Sequence, residues 1–293
     1  KTQDPNGNGQ ADEIPWGAQG FDNAMGVGPL LWAFNTTYDF HLKDGKVVYG
    51  PVTPEFKEGL TFLARLYSEG LIDPDYLTND RPKMDAKFTS DITGFGFGFQ
   101  PSTYYPSMND GKRKVAGIGY LKSADGSSYC YNNAYTQPVM KNVSLAVSAS
   151  NPNVAGTLKW LDQLFGGEGV MYANYGKEGE TYEMVNGEPT FTEYVTNNPD
   201  GKTLAQMVGL TCAVRDSAFP MLQTWQYYKQ TLQPWGIEAI ETWMADNADT
   251  GNILPQISRT QEESERYSEL MNPIKTYMQE QANKLITGSI RPE

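Results

Sequence analysis

The chain has 293 residues, 39% of them hydrophobic, and a formal net charge of −12. That length buries at least one sizeable core and suits two lobes better than one. The acidic balance argues against nucleic acid and anionic membrane surfaces, both of which reward Lys and Arg, and the sequence has no run of about 18 apolar residues to span a bilayer.

The chain opens Lys1-Thr2-Gln3-Asp4 with neither an initiating Met nor a secretory leader, so its start reads as a cut edge. Residues 4–13 are a polar, Gly-rich loop. Ile14–Trp16 then reads as a short strand, and the Gly-punctuated apolar run Phe21–Phe34 as a helix. Phe40–Tyr49 reads as a β-hairpin whose Asp44-Gly45 supplies the positive-φ turn. Thr53 caps a helix with Pro54 at its first position; Phe56, Leu60, Leu63, Leu66 and Tyr67 form its buried stripe, and Gly70 ends it. Gly94–Phe99 alternates Gly with Phe and reads as a strand open to close backbone approach. Val115–Leu121 and Val143–Val147 are two further predicted strands. Asn151-Pro152 opens an amphipathic helix carrying Leu158, Leu161, Leu164 and Phe165, and the passage Ser148–Pro152 suits a crossing between lobes. A Gly-rich stretch from Gly166 to Thr192 contains the hairpin-like turn Asn186-Gly187, and from Thr203 the pattern is helical. The last helix has the capping box Thr260–Glu263, apolar positions at Tyr267, Leu270, Met271, Ile274, Tyr277 and Met278, a kink at Pro273 and a stop at Gly288. Strands alternating with helices give an α/β architecture with a partly parallel sheet.

Aromatics make up 12% of residues, including 18 Tyr and 6 Trp. Such rings stack and hydrogen-bond at once, which suits sugar clefts, although most single rings belong to core packing. The two cysteines, Cys130 and Cys212, read as buried free thiols. The single histidine, His41, has no partner for metal or triad chemistry.

The loop carries the sharpest signal. Asp4, Asn6, Asn8 and Asp12 fall at positions 1, 3, 5 and 9 of an EF-hand-type loop, with Gly9 at position 6 and the Gln10 carbonyl at position 7. Position 12 is Pro15 instead of the usual Glu, so Glu13 stands in for it. A hard cation such as calcium takes this many oxygens in flexible geometry. With no open coordination position, the ion is structural. The alternative is an Asx-rich surface turn with no ion.

This loop, running into Ile14-Pro15-Trp16, resembles the Asp-Pro-Asn-Gly-Asn-Gly-x-Ala-Asp-Glu-Ile-Pro segment of family 1 extracellular solute-binding proteins. It is closest to the branch with calcium-binding alginate-oligosaccharide-binding proteins and Gram-positive surface lipoproteins. In that branch the residues matching Asp4, Asn6, Asn8, Gln10, Asp12 and Glu13 hold calcium. Thr53–Pro74, Tyr175–Pro189 and Tyr277–Gly288 fit the branch as well. The resemblance implies a two-lobed, type II periplasmic-binding-protein-like α/β fold with its first lobe incomplete, lacking that lobe's opening half and the final C-terminal helices. Residues 1–140 would be mainly the C-terminal lobe, 141–250 the rest of the N-terminal lobe, and 251–293 helices packing back at the hinge. It implies an oligosaccharide ligand, permease subunits of an ABC importer as partners, and a monomer outside the cytoplasm, at the surface or in the periplasm. Membrane attachment would come only from a lipid anchor absent from this chain.

Expected ligand contacts come first from the strand-to-helix turn Phe99, Gln100, Tyr104 and Tyr105. Trp225, Tyr227 and Tyr228 follow, with Arg215 and Asp216 before them as anchors, and then Trp16 and Asn23 behind the loop. The competing function is a carbohydrate-active enzyme, a glycosidase or lyase. A glycosidase needs two carboxylates facing across a cleft, and no motif singles out a pair among 35 acidic residues.

Overall fold

The computed structural model describes residues 4, 6–98, 115–131, 139–140, 146–212, 222–246, 248–255 and 257–291. The chain divides into two compact units, Lys1–Asn133 with Glu238–Glu293 (unit 1) and Ala134–Ile237 (unit 2). Ser148–Pro152 therefore lies inside unit 2, away from either point of division.

Unit 1 opens with β1 (Ile14–Trp16). The predicted helix Phe21–Phe34 is helical only over the 3-10 segment Gly28–Phe34. Before it the backbone folds on itself, the amides of Val27 and Gly28 donating to the carbonyls of Gly20 and Phe21. Glycine allows that approach: a Cβ on Gly28 would stand 2.5 Å from the Phe21 oxygen and 2.7 Å from the Tyr38 ring. β2 (Phe40–Lys43) and β3 (Lys46–Tyr49) form the predicted hairpin, with φ of 52° at Asp44 and 71° at Gly45, the pattern of a type I′ turn. α1 (Pro54–Ser68) begins where the sequence predicts; the Thr53 hydroxyl accepts from the Phe56 amide at 3.3 Å, and Phe56, Leu60 and Leu63 are buried. α2 (Arg81–Thr89), capped by Asp80, leads to β4 (Thr93–Phe95). β4 runs parallel to β1, Ile14 opposite Thr93 and Trp16 opposite Phe95, while Ile72 bridges to Trp16. The strand predicted over Gly94–Phe99 is shorter because β1 offers only three residues to pair with and ends at Trp16; the next amide, that of Gly17, donates to the Phe95 carbonyl at 2.9 Å.

Unit 2 contains β5 (Val139–Met140); the strand predicted over Val143–Val147 falls mostly outside the described residues. α3 (Val154–Asp162) starts behind Asn153, whose side chain accepts from the Gly156 amide at 3.0 Å. Of its predicted apolar positions Leu164 is buried, but Leu158 is exposed. After α4 (Gly167–Tyr175), β6 (Tyr182–Val185) and β7 (Glu188–Phe191) pair around Asn186-Gly187, with φ of 54° and 84°. α5 (Glu193–Thr196) and α6 (Leu204–Thr211) follow, the latter with a capping box between Thr203 and Gln206. β8 (Leu222–Gln223) pairs antiparallel with β5, and α7 (Trp225–Thr231) is capped by Thr224. The core of unit 2 is aromatic: Tyr175 lies 5.3 Å from Phe191 and 5.9 Å from Tyr227 between ring centroids.

Two long helices, α8 (Pro234–Asp246) and α9 (Gln261–Ile286), complete the chain. Val115–Leu121, predicted as a strand, belongs to none. Its polar groups are met by α8 instead: Trp243 Nε1 donates to the Ile118 carbonyl at 2.8 Å, and Asp246 accepts from the Tyr120 amide at 2.5 Å. α9 carries the predicted capping box, passes through Pro273 without a break, and packs on α1. Its buried line is Met271, Met278, Ala282 and Ile286, so the adjacent row Leu270, Ile274 and Tyr277, predicted as core, is exposed. Among the described residues the strands form four two-stranded pairs, one of them parallel, in place of a larger mixed sheet.

Candidate functional site

Asp4 organises the loop ahead of β1. Its carboxylate accepts from the amides of Asn8 at 3.1 Å and Gly9 at 2.8 Å, and its carbonyl from Gly7 at 3.3 Å. Gly7 and Gly9 have φ of 69° and 78° with open space where a Cβ would stand, so glycine serves conformation there and not packing. Asn6 Oδ1 accepts from the Asn8 amide at 2.9 Å, and Asn8 Oδ1 from the Gln10 amide at 2.7 Å. The Asn8 side chain in turn donates to both Asp12 oxygens, at 3.3 and 3.4 Å. Asn6 Nδ2 ties the loop to the turn after α2 by donating to the Asp91 carbonyl at 3.4 Å.

Glu13 is the odd member. Both of its carboxylate oxygens are buried and have no hydrogen-bond partner among the described residues. A carboxylate in that position is costly unless a cation or donors meet it. Among the described residues no three His, Cys, Asp or Glu side chains gather into a metal cluster of their own. Asp4, Asp12 and Glu13 are therefore not drawn around one point in this structure, although with the oxygens of Asn6, Asn8 and Gln10 they make up a mixed set of the kind hard cations take.

The predicted ligand contacts fare unevenly. Phe99, Gln100, Tyr104, Tyr105, Arg215 and Asp216 lie outside the described residues. Trp16 is a core residue, only 5% exposed, packed against Phe95 and Phe97 at 5.8 and 5.6 Å. It shapes β1 and β4 and offers no ring face to a ligand. Asn23 spends its amide locally, donating to the Gln19 carbonyl and accepting from the Met25 amide at 2.8 Å. On α7, Tyr227 is buried in the unit 2 core, whereas Trp225 and Tyr228 are half-exposed, with Lys229 Nζ 5.8 Å from the Trp225 ring centroid. Neither cysteine forms a disulfide among the described residues; Cys212 donates to the Asn174 carbonyl at 3.0 Å, and burial pushes its thiol up to about 11.

No protein-family model matches the chain. Over its whole length it is 24% identical to the fructooligosaccharide ABC transporter substrate-binding protein FusA of Streptococcus pneumoniae serotype 4. Over 68% of its length it is 25% identical to the lipoprotein LipO of Bacillus subtilis. These alignments take in 55% of FusA and 40% of LipO, so the chain spans about half the length of the curated relatives it matches. The solved structure of FusA with kestose superposes with a TM-score of 0.67 at 21% identity, over 98% of this chain and 58% of that one. The chain is thus similar to ABC-transporter substrate-binding proteins. It has their two-lobed, type II periplasmic-binding-protein-like fold, as the sequence predicts. Alginate-binding protein AlgQ2 without calcium ion matches with a TM-score of 0.61 at 19% identity, over 95% of this chain and 58% of that one. A FusA EF-hand mutant with fructo-nystose matches with 0.65 at 20%, over 99% and 59%.

For a chain similar to substrate-binding proteins, one grouping in unit 1 was missed by sequence reasoning. Asn35, Tyr131 and Asn252 come from three distant segments and meet through their side chains. No local spacing signals such a convergence; the one available hint was Asn at the left-handed end of the Gly28–Phe34 segment, where φ is 52°.

Proposed function

We propose that the chain serves in an extracytoplasmic solute-binding protein that captures an oligosaccharide and hands it to the permease subunits of an ABC importer. It performs no chemistry on that ligand. The observation carrying this reading is the match to FusA along the whole chain in sequence and along 98% of it in fold. The lipoprotein relative supports a place outside the cytoplasm, held by a lipid anchor; the protein acts there as a monomer. Among the described residues no helix is long and apolar enough to cross a membrane. In this reading residues 1–140 are mainly the C-terminal lobe, 141–250 belong to the N-terminal lobe and 251–293 pack back at the hinge; the two compact units support a two-lobed assignment.

The loop at 4–13 takes structural calcium through the side chains of Asp4, Asn6, Asn8, Asp12 and Glu13 and the carbonyl of Gln10. The unmet buried carboxylate of Glu13 supports this. When bound, the ion supplies the positive charge that Glu13 lacks. Of the predicted contact rings, Trp225 and Tyr228 are half-exposed, and Phe99, Gln100, Tyr104, Tyr105 and Arg215 are proposed beside them from the sequence.

The test is a thermal-shift screen of the full-length protein against neutral and uronate oligosaccharides, followed by product analysis. A ligand that binds only the folded state raises Tm, and it should be recovered uncleaved. Turnover abolished by replacing one specific carboxylate would establish the glycosidase or lyase reading instead.

A further inference from the structure

Three side chains in unit 1 form a closed hydrogen-bonded trio. Tyr131 Oη donates to Asn35 Oδ1 at 2.9 Å, and Asn252 Nδ2 donates to the same oxygen at 2.8 Å and reaches Tyr131 Oη at 3.5 Å. Asn35 Oδ1 is thereby saturated, while Asn35 Nδ2 and Asn252 Oδ1 take part in no hydrogen bond among the described residues. One amide donor and one amide acceptor are left over on a preorganised frame. All three residues are half-exposed, so those groups are not sealed in the core.

Aromatic surface adjoins the trio. Trp32, also half-exposed, lies 6.4 Å from the Tyr131 ring at an interplanar angle of 50°, and its Nε1 is buried with no hydrogen-bond partner among the described residues. An indole N–H in that state is a donor awaiting an acceptor. Beneath, the buried His41 meets the Tyr131 ring edge-on at 5.4 Å and fixes its plane. The Asn252 carbonyl accepts from the Leu42 amide at 2.9 Å, which anchors its loop to β2. The Tyr131 phenol is pushed up to about 12, mostly by burial, with Asp249 and Glu55 adding to it. Glu55 is already paired with Lys43.

We propose that Trp32, Asn35, Tyr131 and Asn252 form a subsite for one neutral sugar ring, in which the free Asn35 amide donates to one hydroxyl, the free Asn252 carbonyl accepts from a neighbouring one, and the indole supports the ring's apolar face. Paired donors and acceptors beside an aromatic plane are what vicinal hydroxyls and C–H patches require. None of the four side chains carries a positive charge to pair with a uronate carboxylate, so the frame suits a neutral ring. The proposal rests on the oligosaccharide-binding reading and deepens it.

The experiment is isothermal titration of the full-length protein with kestose, maltotriose, cellotriose and an alginate trimer. The parent is compared with Tyr131→Phe, Asn35→Gly and Trp32→Phe. Glycine keeps the left-handed backbone at position 35, and phenylalanine keeps the packing on His41. Each variant is expected to weaken binding of a neutral sugar about three- to tenfold, the effect of losing one hydrogen bond, with the unliganded Tm of Tyr131→Phe little changed. Unaltered affinity in all three variants, with or without lower Tm, would show the trio to be a loop staple and overturn the subsite alone. Tightest binding of the alginate trimer would overturn its neutral preference. If the parent binds none of the four sugars, the subsite falls together with the binding reading.

Discussion

Removing calcium should lower the melting temperature of unit 1, and Glu13→Gln should reverse its effect depending on whether the ion is present. The proposed ligand set holds three carboxylates, Asp4, Asp12 and Glu13, with neutral oxygens from Asn6, Asn8 and Gln10. Sensor-type loops bind calcium at about 10⁻⁷–10⁻⁵ M. At the weak end of that range, 1 mM calcium adds about 2.7 kcal/mol to stability. With Tm moving about 2–4 °C per kcal/mol in a protein of this size, EDTA should lower it by roughly 5–10 °C. Glu13→Gln removes a buried charge that no described residue meets in the ion-free loop, so in EDTA it should raise stability by about 1–3 kcal/mol. In calcium the same variant loses a charged ligand and should melt below the parent. Differential scanning fluorimetry in calcium and in EDTA reads both signs. A parent melt indifferent to EDTA, or a Glu13→Gln variant less stable in both conditions, would refute the reasoning.

Lys87→Met should destabilise unit 1 by about 2–4 kcal/mol in urea titrations, because Lys87 Nζ meets the fully buried Asp73 carboxylate at 2.7 Å and its loss strands that charge. Adding Asp73→Asn should restore most of the loss. Burial holds the His41 imidazole below its ordinary value of 6.5, so the unfolded chain binds the extra proton first; stability should be full above that pH and fall as pH drops through 6.5, and His41→Gln should flatten that slope. In unit 2, Tyr227→Ala should lower stability by about 3–5 kcal/mol as a core truncation. Trp225→Ala and Tyr228→Ala should leave the melt nearly unmoved and weaken oligosaccharide binding by about 1–3 kcal/mol.

What the sequence discloses here is mostly local. The two hairpins, the Thr53 and Thr260 caps and the wrap of the 4–13 loop follow from residue chemistry within a few positions, and all appear in the structure. Errors arise where a distant partner decides. Alternating apolar residues at Val115–Leu121 look like a strand, yet Trp243 and Asp246 take the backbone bonds a neighbouring strand would have taken. The row Leu270, Ile274 and Tyr277 looks like core, yet α1 meets the neighbouring line through Met278 and Ala282. Trp16 and Tyr227 have the chemistry of sugar platforms but sit in apolar cores. Ring chemistry alone does not report which side of a helix or strand is covered.

The loop and the buried Asp73 pair act on one strand from its two ends. Asn6 holds the Asp91 carbonyl, and the Ile14 amide donates to Ile92 at 2.8 Å, so the loop side of β1 is fastened to the turn that follows α2. At the other end the Trp16 carbonyl accepts from the Asp73 amide at 2.9 Å, and the Ala18 carbonyl accepts from Asn79 at 3.0 Å. Asp73 and Asn79 are themselves locked together and to Lys87 on α2. β1 is only three residues long and cannot be rigid through its own ladder. These backbone and side-chain fastenings supplement its short ladder. The strand they stabilise is the one that sets the register of β4, and β4 runs on toward Phe99 and Gln100, the first of the proposed ligand contacts. The ion proposed at 4–13 would therefore steady β1, and through it β4, from the side opposite Asp73.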